Sequence, residues 1–427
     1  MSRRSPTVPS APISSDWIEY HRDAARSGLG PSDPALSNPA VAWTFGLDAD
    51  VYASPLIVAG HVIAATENNT VYSLDVFTGS VIWKVHLGDP VQASSLPCGD
   101  IGPITGITGT PAVDPSTGRL YVVAYLRNHQ HVLFALSLVD GGLVFQQDVD
   151  PVGSTPSAQQ ERGALAIGSG RVYVPLGGLF GDCSSYHGYV VAVPVGGGPA
   201  TAYRVPSSRG AGIWTPAGPV IDPEGNVYVA TGNGESRSNF DGSNAVVELS
   251  PDLQTVKSYF APSNWVELNL TDRDLGALGP TLVQGAALAV GKDGIAYLLN
   301  ASQLGGIGGQ VASRRLCGGA FGGTAQDKGV VFVPCTDGLY AVAITSNSMS
   351  VRWHAQQPAT ASPIVAAGVV WAIESSSGRL YALDESNGSV RYSTNLGPAM
   401  HFSTPAATDG FVIVPAGRQV IGISVVS

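Results

Sequence analysis

Two segments that lie far apart in the chain repeat the same pattern of apolar and polar positions. Residues 62–83 read VIAATENNTVYSLDVFTGSVIW and residues 369–392 read VVWAIESSSGRLYALDESNGSVRY. Each segment has a β-branched strand, a polar turn, a second strand ending in Leu-Asp, a glycine turn, and a third strand closed by an aromatic residue. A single unit of this kind cannot bury its apolar faces alone. The repeat therefore predicts copies that pack around a common centre or stack in a row.

The unit starts are marked by a short pair of residues, in most cases containing proline or glycine. These pairs begin at Ser54, Thr110, Arg162, Thr215, Gly279, Gly323, Ser362 and Thr404. They divide the chain into eight units, and the last unit ends before its fourth strand. Segment 39–47, PAVAWTFGL, matches the missing strand. We therefore expect residues 41–47 to pair with the strand around residues 420–425, which would close a ring without free edges.

The predicted fold is all-β: an eight-bladed β-propeller of four-stranded antiparallel blades, closed by an N-terminal strand that completes the last blade. Residues 39–427 form this single domain, and residues 1–38 are expected to be a leader along the outside of the ring. The chain contains 53 glycines and 30 prolines, which favour short strands and tight turns over helices. No run of about 18 apolar residues occurs, so no membrane span is expected.

The charge balance excludes some classes of partner. The formal net charge is −10, and the basic residues cluster only in segment 2–4 and at Arg314-Arg315. Nucleic acid and anionic membrane surfaces are therefore unlikely partners, because both require a basic surface. We expect a monomer that binds a small molecule in an axial pocket.

The four cysteines, Cys98, Cys183, Cys317 and Cys335, form no CxxC pair, which argues against a zinc site. From the position of their loops in the blades, we predict the disulfides Cys317–Cys335 and Cys98–Cys183. Two disulfides favour a secreted or periplasmic protein. The segment MSRRSPTVPSAPISSD shows no apolar core of a signal peptide, so a cytoplasmic location stays the alternative.

Candidate chemistry is expected on one face of the ring. The loops between the second and third strands and the loops between blades open on the same face, so their polar residues converge around the axis. His401 lies in such an inter-blade loop and is either a general base or a hydrogen-bonded structural histidine.

The repeats VYSLDVFTGSVIW and LYALDESNGSVRY resemble those of the pyrroloquinoline-quinone (PQQ) repeat family, the quinoprotein alcohol dehydrogenase-like propellers. The aromatic docking position of this family is matched by Trp83, Phe145, Trp353 and Tyr392. We expect these four side chains to form core between neighbouring blades.

The segment 210–234, GAGIWTPAGPVIDPEGNVYVATGNG, is similar to the cofactor-binding blade of that family. The resemblance implies that Trp214 lies flat against PQQ and that Asn233 binds its Ca²⁺ or lanthanide ion. It implies a second metal ligand at Asp182. It also implies catalytic carboxylates at Asp272 and Asp274, with Asp274 as a further ligand in a lanthanide-type site.

The resemblance implies three further contacts to the cofactor. Lys292 would contact the quinone oxygens and assist the transfer of hydride. Arg162 would replace the arginine that pairs with a PQQ carboxylate, since the expected arginine is absent. Cys98 occupies the loop where the family has two adjacent cysteines, and this chain has no second cysteine there.

These matches and departures leave several function classes open. The first is a quinone- and metal-dependent dehydrogenase of a small alcohol or sugar. The second is a cofactor-free binding or scaffold propeller, as in outer-membrane assembly factors. The third is a propeller recruited to non-redox chemistry in secondary metabolism, as a lyase, hydrolase or cyclase.

Overall fold

The computed structural model describes residues 15–357 and 361–426, and eight antiparallel sheets form its eight blades. The eight-bladed β-propeller predicted from the repeat is therefore confirmed. In blades 1 to 4 the strands are Leu56–Val58, His61–Ala65, Thr70–Asp75 and Val81–His86; Ala112–Asp114, Arg119–Tyr125, His131–Ser137 and Leu143–Asp148; Ala166–Gly168, Arg171–Gly178, Tyr189–Pro194 and Thr201–Arg204; and Val220–Ile221, Val227–Ala230, Val246–Leu249 and Val256–Ala261.

The second half of the ring repeats this order. In blades 5 to 8 the strands are Thr281–Val283, Ala286–Val290, Ile295–Asn300 and Ala312–Arg315; Ala325–Asp327, Val330–Cys335, Gly338–Ile344 and Met349–Ala355; Ile364–Ala366, Val369–Glu374, Arg379–Asp384 and Val390–Asn395; and Ala406–Thr408, Phe411–Ala416, Gln419–Ser424 and Ala40–Gly46. The elements outside this scheme are the strands Val91–Gln92, Ile104–Thr105, Gln159–Gln160 and Gly306–Ile307, the α-helix Trp265–Leu270, and the 3₁₀ helices Ala93–Ser95, Pro156–Ala158 and Leu275–Ala277.

The ring is closed by the strand Ala40–Gly46. It pairs antiparallel with Gln419–Ser424, from Ala40 opposite Ser424 to Gly46 opposite Gln419. The predicted closure is therefore confirmed. It follows from the sequence because a three-stranded last blade would leave an open edge.

Neighbouring blades are joined at their outer strands by a repeated tryptophan contact. The indole N–H groups of Trp43, Trp83 and Trp353 donate to the carbonyls of Val76, Leu138 and Glu385 in the next blade, at 2.8–3.1 Å. A glycine at positive φ follows each of these carbonyls, and a Cβ there would collide with the indole. At these three boundaries the glycine turn of one repeat thus accepts the tryptophan of the blade before it.

The leader occupies a different place from the one expected. Its backbone hydrogen-bonds to the first strands of blades 1, 2, 4, 6 and 7, for example between Trp17 and Ile57 and between Ala24 and Ile221. These first strands are the innermost strands, buried and in contact across the blade boundaries. Residues 15–38 therefore lie across the axis and not along the outside of the ring; residues 1–14 are outside the described part.

The physical reason is that the inner edge of a first strand has unpaired backbone groups that must be satisfied. The leader pairs with these edges near the turns between the first and second strands, on the face opposite the inter-blade loops. Its buried Arg26 is ion-paired with Glu19 at 3.0 Å and donates to the carbonyls of Leu165 and Pro219.

Both predicted disulfides are present. Cys98 is bonded to Cys183 and Cys317 to Cys335, with Cα–Cα distances of 6.1 and 6.2 Å. Across residues 15–357 and 361–426, no helix has both the length and the apolar character needed to span a bilayer.

Candidate functional site

A cavity of about 790 Å³ lies on the loop face of the ring. Every predicted site residue except Cys98 lines it. The lining consists of Asp100, Arg162, Gly178, Leu179, Phe180, Gly181, Asp182, Tyr186, Trp214, Asn233, Asp272, Asp274, Lys292, Phe321, His401 and Phe402. Cys98 is bonded to Cys183, the residue after Asp182, so its sulfur anchors one lining loop. The inter-blade loops and the loops between second and third strands thus converge as the blade geometry predicts.

One wall of the cavity is organised around the Lys292 ammonium group. Its Nζ lies 2.6 Å from Asp274 Oδ2, 3.2 Å from Asp272 Oδ1, and 5.6 Å from the centre of the Trp214 ring. Burial by itself disfavours this charge, but the carboxylates of Asp274 and Asp272 raise the pKa of Lys292 above its ordinary value. Lys292 is therefore a fixed cation beside an aromatic face.

The Thr-Gly-Asn segment after the strand Val227–Ala230 positions Trp214 and Asp274 in this wall. The Thr231 hydroxyl donates to the carbonyl of Gly242 at 2.7 Å, which fixes the strand end. A Cβ on Gly232 would lie 2.7 Å from Asp274 Oδ1 and 3.1 Å from Trp214 Nε1, so only glycine fits between them. The Asn233 N–H donates to Asp274 Oδ1 at 2.5 Å. The motif thus brings the indole and the carboxylate together.

The carboxylates of the implied metal site are already hydrogen-bonded or ion-paired in this arrangement. The Asp182 carboxylate accepts a hydrogen bond from Tyr186, and Lys292 lies between Asp272 and Asp274. In the described ranges, the carboxylates of the cavity do not bring three ligand atoms within 4.8 Å of one another. The set implied by the resemblance, Asp182, Asn233 and Asp274, also includes an amide, and its two carboxylates are paired with Tyr186 and Lys292 in this structure.

The composition of this wall suits a flat ligand. The Trp214 ring borders a cavity of sufficient volume for a small-molecule ligand, and the Lys292 cation stands beside the ring. Arg162 contributes its guanidinium group as a second cation on the cavity wall. These three residues could bind a planar, anionic ligand.

A second wall is formed by Asp100, Arg162 and His401. The Asp100 carboxylate lies 2.8 Å from Arg162 Nη2 and 3.5 Å from His401 Nε2. The His401 ring packs edge-on against Tyr52 and Phe402, with ring centres 5.4 and 4.9 Å apart. Burial and the Arg162 charge lower the pKa of His401, and Asp100 offsets this only in part.

The rim of the cavity is aromatic. Phe180, Phe321 and Phe402 line it, and Phe180 is 64% exposed to solvent. These side chains give the cavity an apolar rim, which the apolar part of a ligand could contact.

Several lining residues were not predicted from the sequence. Asp100 follows Cys98 by two positions, Phe402 follows His401, and Phe321 lies in the loop that enters blade 6. All three fall in inter-blade loops, so their position in the repeat was an available signal. Tyr186 and Phe180 lie in the same loop as Asp182, which was predicted.

Comparison with known proteins agrees with the architecture. The family model described as outer membrane protein assembly factor BamB (PQQ_2) matches residues 35–278 and 292–426. A polyvinylalcohol dehydrogenase from a Pseudomonas species is 23% identical over 90% of this chain and 67% of its own length.

Solved structures show the same fold at low sequence identity. A quinohemoprotein alcohol dehydrogenase from Pseudomonas putida HK5 superposes with a TM-score of 0.78 at 14% identity, over 96% of this chain and 80% of that one. A europium-containing methanol dehydrogenase superposes with a TM-score of 0.75 at 14% identity, over 96% and 98% of the two chains.

Proposed function

This chain belongs to the PQQ-repeat family described as outer membrane protein assembly factor BamB, and on that premise we propose that its axial cavity oxidises an alcohol with a bound quinone. The observation that best supports this proposal is the cavity wall in which the Lys292 ammonium group lies over the Trp214 ring and beside the carboxylates of Asp272 and Asp274. A polyvinylalcohol dehydrogenase among the relatives makes secondary alcohols the first substrate class to test, and small sugars the second.

The residues of the cavity have distinct proposed roles. A bound PQQ would supply the chemistry of hydride acceptance. Trp214 would support its flat ring, and Lys292 would hold a positive charge next to its carbonyl oxygens. Arg162 would face its carboxylates. Phe180, at the rim, would contact the apolar part of the alcohol.

A binding experiment tests this proposal. PQQ is titrated into metal-depleted protein, and the absorbance of PQQ and the quenching of tryptophan fluorescence are followed. We expect Trp214→Ala and Lys292→Ala each to weaken binding about tenfold or more, since each removes part of the stacked cation and ring. Lys328→Ala is the matched control, because Lys328 is an exposed lysine paired with Asp327 outside the cavity.

The same titration tests the role of a metal. Because Lys292 already neutralises Asp272 and Asp274, we expect PQQ binding to persist without metal. Tighter binding with Ca²⁺ or La³⁺, lost in Asn233→Ala, would show instead that these donors rearrange around an ion.

Turnover is then measured with 2-propanol, 2,4-pentanediol and glucose and an artificial electron acceptor. No PQQ binding under any of these conditions ends the dehydrogenase proposal.

A cofactor-free binding propeller is the second candidate. It is favoured by the ion-paired state of the cavity, in which Lys292 and Arg162 are already bound to carboxylates. The description of the matched family, an assembly factor, supports the same function. Protein that binds no PQQ but keeps its melting temperature would support this candidate.

We also propose that the protein is exported. The two disulfides support this, because such bonds persist in oxidising compartments. Peptide mapping of the native protein under non-reducing conditions tests it, and four free thiols would argue for a reducing compartment.

A further inference from the structure

We propose that His401, oriented by Asp100, accepts the hydroxyl proton of the alcohol; this inference rests on the dehydrogenase function proposed above. His401 lines the same cavity as Trp214 and Lys292. It would be the catalytic base of the reaction, and Asp100 would be its positioning residue.

The geometry of the second wall resembles a general base held by a carboxylate. His401 Nε2 faces Asp100 at 3.5 Å, and Asp100 is fixed in turn by Arg162 at 2.8 Å. The edges of Tyr52 and Phe402 restrict rotation of the imidazole. The side chain is still 41% exposed and therefore accessible from the cavity.

Burial and the Arg162 charge favour a neutral His401 ring, and the Asp100 carboxylate opposes them in part. Arg162 and Asp100 are the charged groups on the elements packed against it, Tyr52 is the neighbouring phenol, and Glu67 lies behind Tyr52. If Nε2–H is donated to Asp100, Nδ1 carries the free lone pair. A neutral imidazole with one nitrogen oriented by a carboxylate is suited to general base catalysis.

The carboxylates on the first wall are less suited to this task. Asp274 is almost fully buried and receives both the Lys292 ammonium group and the Asn233 N–H. Asp272 is more exposed but also pairs with Lys292. Both oxygens of Asp274 are already engaged, Oδ2 by the Lys292 ammonium group and Oδ1 by the Asn233 N–H, which leaves them less available to the hydroxyl group of an alcohol.

The proposed step balances as follows. The O–H bond of the alcohol breaks and its proton passes to Nδ1 of His401, while the carbinol C–H bond breaks and its hydride passes to an acceptor of the quinone class. The alcohol is oxidised to a carbonyl compound and the acceptor is reduced by two electrons. The imidazolium then returns its proton to solvent through the open side of the cavity.

The first test does not depend on turnover. Nuclear magnetic resonance of ¹⁵N-histidine-labelled protein reports the tautomer and the pKa of His401, assigned by comparison with His401→Gln. We expect the Nε2–H tautomer and a pKa below the ordinary value. Asp100→Asn should lower this pKa further and mix the tautomers, because it removes the group that raises it. A proton on Nδ1 in the wild-type protein would overturn the proposal.

The second test compares the two candidate bases with PQQ-loaded protein and 2,4-pentanediol. We expect His401→Gln to lower kcat about 10²-fold or more with a small change in KM, and exogenous imidazole to restore part of the rate in His401→Ala. His354→Gln is the control, since this exposed histidine bonds to the Asp337 carbonyl outside the cavity.

The outcomes separate this inference from the proposed function. Wild-type protein that oxidises no alcohol would remove both. An active wild type with an equally active His401→Gln variant would remove the inference alone, and a large loss confined to Asp272→Asn would assign the base to Asp272.

Discussion

Two glutamates behind the second wall are buried without full hydrogen bonding. Glu67 Oε2 accepts the N–H of Gly106 at 2.6 Å, but its Oε1 has no partner, and the same is true of Glu161 Oε1. Burial raises the pKa of Glu67 to about 7, against the opposing effects of Gly106, Thr108 and Arg162. Burial also raises the pKa of Glu161, and the nearby Glu67 adds to this. Near pH 7 Glu67 is therefore partly protonated, which lowers the cost of burying its carboxyl group.

Glu67→Gln is therefore expected to change the pH dependence of stability. The folded pKa of about 7 exceeds the ordinary 4.5, so the folded protein holds an extra proton between these values. The wild type is fully stabilised below pH 4.5 and loses stability as the pH rises to 7, by up to about 3 kcal/mol. The variant should not show this loss.

Urea unfolding at pH 5 and pH 8 measures the difference. The exposed Glu224→Gln serves as the control for the change in net charge. Equal pH dependence in wild type and Glu67→Gln would contradict the prediction and place an ionised carboxylate in the core.

Among individual residues, those in recognisable motifs could be predicted from the sequence, and those buried by contacts between blades could not. Trp214, Asn233 and Lys292 belong to motifs whose spacing fixes their position in the blade. Glu67 and Glu161 fall in turns whose polar residues are normally solvated. Their burial arises from contacts with other blades, which the local pattern does not contain.

At the scale of elements, the loop 178–186 forms one side of the cavity and is held by a single covalent bond. This loop carries Phe180, Asp182 and Tyr186, and Cys183 ties it to Cys98 in the loop that enters blade 2. Asp182 lies at positive φ, as does Gly181, so the backbone turns sharply beside the disulfide. The second disulfide joins Cys317 and Cys335, and neither sulfur contributes to the cavity lining.

Removing the two disulfides should have different effects. The double variant Cys98→Ser/Cys183→Ser opens a loop with a sequence separation of 85, and Cys317→Ser/Cys335→Ser one of 18. The chain-entropy model gives a stability loss of about 4–5 kcal/mol for the first and about 3 kcal/mol for the second. Only the first should also weaken PQQ binding, because it releases Asp182 and Phe180.

Calorimetric unfolding and PQQ titration of both variants check this. Equal loss of PQQ affinity in both would mean that the effect comes from general destabilisation and not from the loop.

The pairing of the cysteines was predictable, and the path of the leader was not. Once the strands are counted, each cysteine is assigned to one face and one blade, and few pairs are within reach. The leader pairs with the inner edges through backbone groups, and these leave no periodic pattern of side chains. Trp17 and Tyr20 are among its buried residues, but isolated aromatic residues do not reveal which surface covers them.

At the scale of the molecule, the N-terminal segment stabilises the propeller in two separate ways: one strand closes the ring, and the leader before it covers the inner strands. The strand Ala40–Gly46 completes blade 8 and carries Trp43, which docks on blade 1. Residues 15–38 contact seven blades, including blade 3 through Glu19 and blade 8 through Ser37, and carry the buried Glu19–Arg26 pair. The ring was predictable because eight copies of one pattern admit few closed arrangements.

Two truncations separate these contributions. Deleting residues 1–47 should abolish cooperative unfolding, because it opens the ring and exposes the edge of the strand Gln419–Ser424. Deleting residues 1–38 should keep the ring closed but lower the melting temperature, since it exposes the inner strand edges. Circular dichroism melts of both proteins beside the full chain measure this. A 48–427 fragment that melts like the full chain would show that the ring closes in another way.

The position of the leader also decides how molecules travel through the propeller. Residues 15–38 lie across the end of the axis opposite the loop face, so we expect a ligand to enter and leave the cavity from the loop face. If the proposed alcohol oxidation holds, the carbonyl product leaves on the side from which the next alcohol enters. On the same expectation, a long polyol would not thread through the ring and would present only a chain end or a bent segment to Trp214. Oxidation of such a polymer would be distributive, with release after each encounter and no processive run along the chain.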